Sequence, residues 1–361
     1  MQQAIKKSEK IASFELARVI ALVAIISIHC QLFMDYGYID EEPWLNFVTN
    51  QAARFAVPLF FLIAGYLIYP KLNAAPYKTA KDYCIPLMVI WLVWSIIHLL
   101  LPFNLGVVAE QGYLVERQGY WQYLMQAPLN SLFEGGLVHL WFIPSLAIAV
   151  LMIAWFVDNK CRRLIIPFAA IIYVYGLIAG SYGVITEVAT PIFTRNGPFF
   201  SFLMVAIGFE ARRNNWSMSA TFALLVATAG MLLHFAEAYY LHGQGQIFNM
   251  NDFLLGTAIW ATGLFFFLLA KPQLGNQPIW LKLGQWVLPI YVMHLLVVIY
   301  MNNLVAILEL QTVSADLVIF FGTLVGSVIL MFIIEKTPIS FAKLRSIKLK
   351  GKPVANCPSA K

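Results

Sequence analysis

The chain has 361 residues, of which 60% are hydrophobic and only 12% charged, with a mean hydropathy of +0.74. That balance excludes a soluble globular domain of this length and equally excludes a disordered chain. The net charge of +6 is spread over many short loops and not gathered in a run, which points to membrane topology and anionic lipid, with no nucleic-acid partner.

Apolar stretches of about 20 residues recur at 14–34, 51–69, 83–103, 138–157, 164–181, 198–211, 217–240, 252–270, 283–303 and 315–334. The expected fold is therefore all-α, a polytopic membrane helical bundle of about ten transmembrane helices. With a cytoplasmic N-terminus, Lys and Arg divide 21 to 3 in favour of the inner side, and only Arg54, Arg117 and Arg195 fall outside. This positive-inside pattern predicts that both termini are cytoplasmic.

The first span follows basic residues as a signal sequence does, but it runs past 20 residues and lacks a small-residue cleavage site, so it is expected to remain as the first helix. The longest outer connection, 104–137, contains an amphipathic stretch expected on the outer interface. Residues 1–335 read as one membrane domain and 336–361 as a basic cytoplasmic tail, surface-associated or disordered. Cys30, Cys84, Cys161 and Cys357 have no metal-binding spacing, and no disulfide or metal is expected.

Within the first span lie Arg18 and His29. Eleven positions of helix make three turns and about 20°, with a rise of roughly 16 Å, so the two share one face. Ionisable groups inside a membrane are costly, and the default reading is a functional site. Glu15 precedes Arg18 by three positions and can pair with it. The structural alternative is that Arg18 snorkels to the inner headgroups and His29 hydrogen-bonds a neighbouring helix.

The second span, QAARFAVPLFFLIAGYLIY, brings Arg54 in from the outer side, with Pro58 one turn on and Gly65 beyond. A cation, a backbone break and a small residue suit a lined cavity, or equally an outer-headgroup Arg on a kinked packing helix. The fourth span opens HLWF, placing His139 and Trp141 at the outer interface, and the ninth carries Tyr291 and His294 one turn apart. Both histidines can be substrate-facing or structural. His98, His234 and His242 lie near outer span ends without a supporting motif and receive no role. Dinucleotide, P-loop, zinc-protease and nucleophile-elbow patterns are absent.

Taken together, these segments resemble the acyltransferase 3 family of membrane-bound acyltransferases. The family's first-helix marker, a basic residue followed by ten others and then His, is matched by Arg18 and His29, with Glu15 at its leading acidic position. Its second-helix stretch is matched by Arg54, Val57, Pro58, Leu59, Phe60, Phe61, Ile63, Gly65 and Tyr66, with Ala64 replacing the usual Ser. Lys78 and Lys81 stand where relatives often have an Arg pair, keeping the charge without the bidentate fork. HLWF and IYVMH resemble two further family patterns, and the nearest resemblance is to the enterobacterial common antigen O-acetyltransferase group.

The resemblance implies transfer of an acetyl, occasionally another short acyl group, from cytoplasmic acetyl-CoA to a hydroxyl of a surface or lipid-linked polysaccharide in the bacterial inner membrane. It implies His29 as general base supported by Glu15 and Arg18. Arg18, Lys78 and Lys81 would hold donor phosphates, while Arg54, His139, Trp141, Tyr291 and His294 would hold the acceptor and the developing oxyanion. Membrane lipids and a homo-oligomeric copy are further expected partners. The competing reading is a flippase or transporter of a lipid-linked sugar that consumes no acyl-CoA.

Overall fold

In a lipid environment a chain of continuous apolar runs must satisfy its backbone hydrogen bonds within itself, and the helix does this segment by segment. The computed structural model describes residues 11–347. Its helices, in chain order, are α1 (Ala12–His29), α2 (Trp44–Ala52), α3 (Ala56–Ala74), α4 (Pro76–Leu100), α5 (Leu105–Gln111), α6 (Tyr113–Gln126), α7 (Pro128–Glu134) and α8 (Phe142–Asp158). They continue with α9 (Ile165–Ile178), α10 (Gly183–Thr186), α11 (Pro198–Arg213), α12 (Ala220–Gly243), α13 (Leu255–Ala270), α14 (Pro278–Ile307), α15 (Thr312–Glu335) and α16 (Phe341–Arg345).

Among the described residues, seven helical segments are long and apolar enough to cross a membrane: α1, the α2–α3 run, α4, the run from Val138 through α8, α12, α14 and α15. The other three stretches singled out in the sequence form shorter helices, α9 with 14 residues and α11 and α13 with 16 each. Lys6, Lys7, Lys10 and the chain beyond residue 347, with Cys357, lie outside the described residues.

Pro58 behaves differently from the kink expected of it. The chain breaks earlier, between α2 and α3, and Pro58 is the third residue of α3. In a helix's first turn the backbone N–H has no intrahelical partner, so proline there removes nothing. The α2–α3 break therefore starts a helix instead of bending one, and it places Arg54 in the break itself.

Helix α3 packs on α11 through two reciprocal notches. A Cβ on Gly65 would stand 2.0 Å from the Val205 carbonyl oxygen, and a Cβ on Gly208 would stand 2.0 Å from that of Leu62. In lipid, where apolar side chains gain little by leaving the solvent, such close backbone approach is a main source of helix adhesion. Around this seam Phe61 stacks on Phe142 at 4.6 Å, and Phe200 stacks on Phe253 at 4.5 Å.

In the 104–137 connection the polar groups face inward: Glu116, Arg117 and Asn130 are buried, whereas Tyr123, Met125, Leu129 and Leu132 are exposed. Helix α16, early in the basic tail, packs against the bundle. Phe341 and Leu344 are buried and Phe341 stacks on Trp94 with ring centroids 5.8 Å apart, since two apolar residues three positions apart share a face even in one turn of helix.

Replacing Gly208 by Leu is expected to force α3 from α11 at a cost of about 3 kcal/mol. A melting temperature in detergent unchanged from the parent protein would contradict the contact.

Candidate functional site

Eleven positions of α1 separate Arg18 from His29, and each lines a different cavity. The Arg18 cavity has a volume of about 560 Å³ and is walled by α3, α4, α8 and α14, including Lys71, Thr79, Asp82, Tyr83, Phe142 and Tyr291. The His29 cavity is smaller, about 180 Å³, and is lined by Arg54, Trp141, Arg195, Asp252 and again Tyr291. One side chain, Tyr291, therefore belongs to both walls. A third space of about 590 Å³ shares Val138, Arg195 and Asp252 with the His29 cavity and extends past Tyr120, Tyr123 and Glu134.

At the first cavity, the Arg18 guanidinium donates to Glu15 Oε2 at 3.1 Å. Glu15 fits because Gly284 of α14 leaves a notch for it; a Cβ there would lie 2.0 Å from the same oxygen. Lys78 and Lys81 are exposed on the first turns of α4 and do not line the cavity, whereas Lys71 does.

The His29 end is organised by charge. Arg54 donates to Asp252 Oδ1 at 3.1 Å, to Asn50 Oδ1 at 3.1 Å and to the Asn249 carbonyl at 2.6 Å. Arg195 donates to Asp252 Oδ2 at 2.8 Å and to Glu134 Oε1 at 2.7 Å. One carboxylate thus holds two guanidinium groups that arrive from points 57 and 198 residues away along the chain. Burial pushes the Asp252 carboxyl upward, but Arg195 and Arg54 outweigh it and hold it below the ordinary carboxylate range. The third cation outside the positive-inside pattern, Arg117, is buried against Glu116, donates to the His98 carbonyl at 3.3 Å, and lies 4.4 Å above the Phe103 ring. All three exceptions to the positive-inside pattern therefore have carboxylate partners.

Four imidazoles meet beside this cavity. The His29 ring lies 5.1 Å from His294 and 6.2 Å from His139, His139 lies 5.0 Å from His294, and His98 lies 5.8 Å from His139. Among the described residues, no group of three or more His, Cys, Asp or Glu is arranged to hold a metal ion. The Tyr291 hydroxyl donates to the His139 carbonyl, and His294 Nδ1 contacts the Tyr291 carbonyl at 2.6 Å. The structure thus brings His29, Arg54, His139, Trp141, Tyr291 and His294 to one place, with Glu15 and Arg18 at the next cavity.

The acyltransferase domain family of the acyltransferase 3 type matches residues 11–335. The chain belongs to this family. Among curated relatives, the serine/alanine racemase of Enterococcus gallinarum is 27% identical over 248 residues, which is 63% of this chain and 32% of that protein. An amino-acid racemase of Enterococcus faecalis is 24% identical over 312 residues, 80% of this chain and 41% of that protein. The chain thus matches less than half the length of these relatives. No solved structure matches the chain.

Sequence reading missed Asp252, Arg195, Glu134 and His98. Arg195 carried a signal, since it broke the positive-inside pattern just as Arg54 did; Asp252 carried none beyond its place directly before an apolar span.

Asp252→Ala, which leaves two guanidinium groups without their shared partner, is expected to cost on the order of 3 kcal/mol of stability. Because the folded-state carboxyl titrates below its unfolded value of about 3.9, the stabilisation is complete at neutral pH and lost as pH falls through the lowered pKa. Melting curves should show the parent protein losing its advantage over Asp252→Ala as the pH is taken below about 4; a constant gap would refute the linkage.

Proposed function

We propose that this chain is a membrane O-acyltransferase, most simply an O-acetyltransferase of the bacterial cytoplasmic membrane. In this reading about ten helices span the bilayer, with both termini in the cytoplasm. The acyl group passes from acetyl-CoA on the Arg18 side to a hydroxyl of a cell-surface or lipid-linked polysaccharide on the His29 side. Within the family, the reading favours the enterobacterial common antigen O-acetyltransferase group.

The observation that carries the reading is that Tyr291 lines both cavities. A donor too polar to enter the bilayer whole can leave its phosphates at Arg18 and Lys71 while a long uncharged arm reaches up the Arg18 cavity. Helix rise places His29 roughly 16 Å above Arg18. An acceptor hydroxyl entering past Tyr120, Tyr123 and Glu134 arrives at His29 from the opposite side. Attack on the thioester carbonyl at the Tyr291 junction needs a base for the hydroxyl proton, and His29, whose ring makes no hydrogen bond to the described residues, has a nitrogen free for it.

Negative charge building on the carbonyl oxygen is favoured by the guanidinium groups of Arg54 and Arg195 in the same wall. Neutral His294 and Tyr291 both have their donor hydrogens committed to backbone carbonyls. Neither therefore gives a hydrogen bond to the oxyanion, and the Trp141 indole is the aromatic donor that lines the His29 cavity.

His29→Ala is expected to lower transfer from labelled acetyl-CoA to a crude lipid-linked glycan fraction by about 10²- to 10⁴-fold without changing membrane insertion. Wild-type transfer with an active His29→Ala protein would remove the base. A wild-type protein that moves the glycan but leaves acetyl-CoA intact would replace this reading with a carrier. Arg18→Ala should raise the KM for acetyl-CoA about tenfold while altering kcat less, and an unchanged donor dependence would separate Arg18 from the phosphates.

A further inference from the structure

The six histidines divide into two sorts by how their nitrogens are used. His234 contacts Thr257 Oγ1 at 2.9 Å and Gln51 Oε1 at 2.8 Å, and His242 contacts the Gln246 carbonyl at 3.0 Å and Glu42 Oε2 at 2.9 Å. Both are fully bonded. The clustered histidines are not: His98 Nδ1 and Nε2, His139 Nδ1 and His294 Nε2 are buried and meet no hydrogen-bonding group among the described residues. Each buried polar atom left without a partner costs about 1–3 kcal/mol, so four in one cluster are not retained for packing alone.

Backbone carbonyls settle which nitrogens carry hydrogen. A carbonyl oxygen only accepts, so the His139 Nε2 contact with the Val292 oxygen at 2.9 Å requires hydrogen on Nε2. By the same argument the His294 contact with the Tyr291 oxygen requires hydrogen on Nδ1. In the neutral rings, His139 Nδ1 and His294 Nε2 are then bare lone pairs, and these are the nitrogens without a partner.

We propose that His294 and His139 form a proton store for His29, with His98 behind them. The proposal rests on the acyl-transfer reading and adds a place for the proton between its two halves. When the acceptor oxygen forms its bond to the acyl carbon and its O–H bond breaks, the hydrogen passes to His29 as a proton. A further transfer forms an N–H bond at His294 Nε2, or at His139 Nδ1, and leaves His29 neutral. The C–S bond breaks with its electron pair on sulfur, and the stored proton returns through His29 to make the thiol.

Electrostatics favour the store. Arg54 and Arg195 line the cavity with His29, and Asp252 and Glu134 are already committed to them. An imidazolium confined to His29 would have those guanidinium groups as neighbours, whereas charge shared with His294 and His139 moves away from them. The other polar groups facing the cluster are the Tyr291 hydroxyl, bonded to the His139 carbonyl, and Arg117, bonded to the His98 carbonyl.

Two measurements test this. Nitrogen-15 NMR of the histidine-labelled protein in bilayers at neutral pH should show His294 with hydrogen on Nδ1 and His139 with hydrogen on Nε2; the opposite tautomer at either ring overturns the store, whether or not the protein transfers acyl groups. The second is a rate series in mixtures of H₂O and D₂O, comparing the parent with His294→Gln and His139→Gln. A glutamine oxygen can still accept a hydrogen bond from His29 but cannot hold a proton, so orientation and storage are separated. The parent should give a curved isotope dependence, and His294→Gln a linear one with kcat lower on the order of 10²-fold and KM values within about threefold. Parental kcat and curvature in both Gln variants would overturn the store, and a parent inactive with acetyl-CoA would instead fault the acyl-transfer reading while the tautomers still decide the geometry.

Discussion

The shared grip of Asp252 on Arg54 and Arg195 is the constraint from which the rest of the site follows. A guanidinium inside an apolar bundle is tolerated only when its charge and its hydrogen bonds are met. Meeting both with one carboxylate draws the α2–α3 break, the segment before α11 and the segment before α13 to a single point. His29 then opens onto a pocket whose cations and anions are already arranged, so charge developing there meets fixed dipoles instead of water that must reorient.

Packing supports this electrostatic frame from two sides. Beside the glycine notches between α3 and α11, Phe61 meets both Phe142, which lines the Arg18 cavity, and Phe200, which lines the His29 cavity. From the other side, α7 supplies Asn130 and Glu134, which accept hydrogen bonds from the Phe193 amide, Asn196 and Arg195. A helix that hides its polar face and exposes its apolar one is inverted for water, but it suits the rim of a polar groove that also touches lipid.

Much of the site was legible in the chain because it depends on spacing within one helix. Arg18 and His29 on a common face, Glu15 one turn before Arg18, and Gly65 as a point of close approach all follow from helix geometry. What local patterns do not encode is pairing at a distance. Asp252 meets Arg54 across 198 residues, and His98 becomes notable only when α4 delivers it to His139. Of the ten apolar stretches, seven form long apolar helical segments, while α9, α11 and α13 are shorter, with 14, 16 and 16 residues. Pro58 was misread as a kink because a sequence does not reveal that the helix restarts two residues before it.

The wedge of Phe341 against Trp94 ties the last described turn of the protein to the wall of the imidazole group, because Trp94 also abuts His98 at 5.7 Å. Helix α16 is consequently a keystone of this wall. Shortening the chain ahead of residue 341 would loosen α4 at the depth where its histidine is held, and so would be felt at the imidazole cluster through the fold itself.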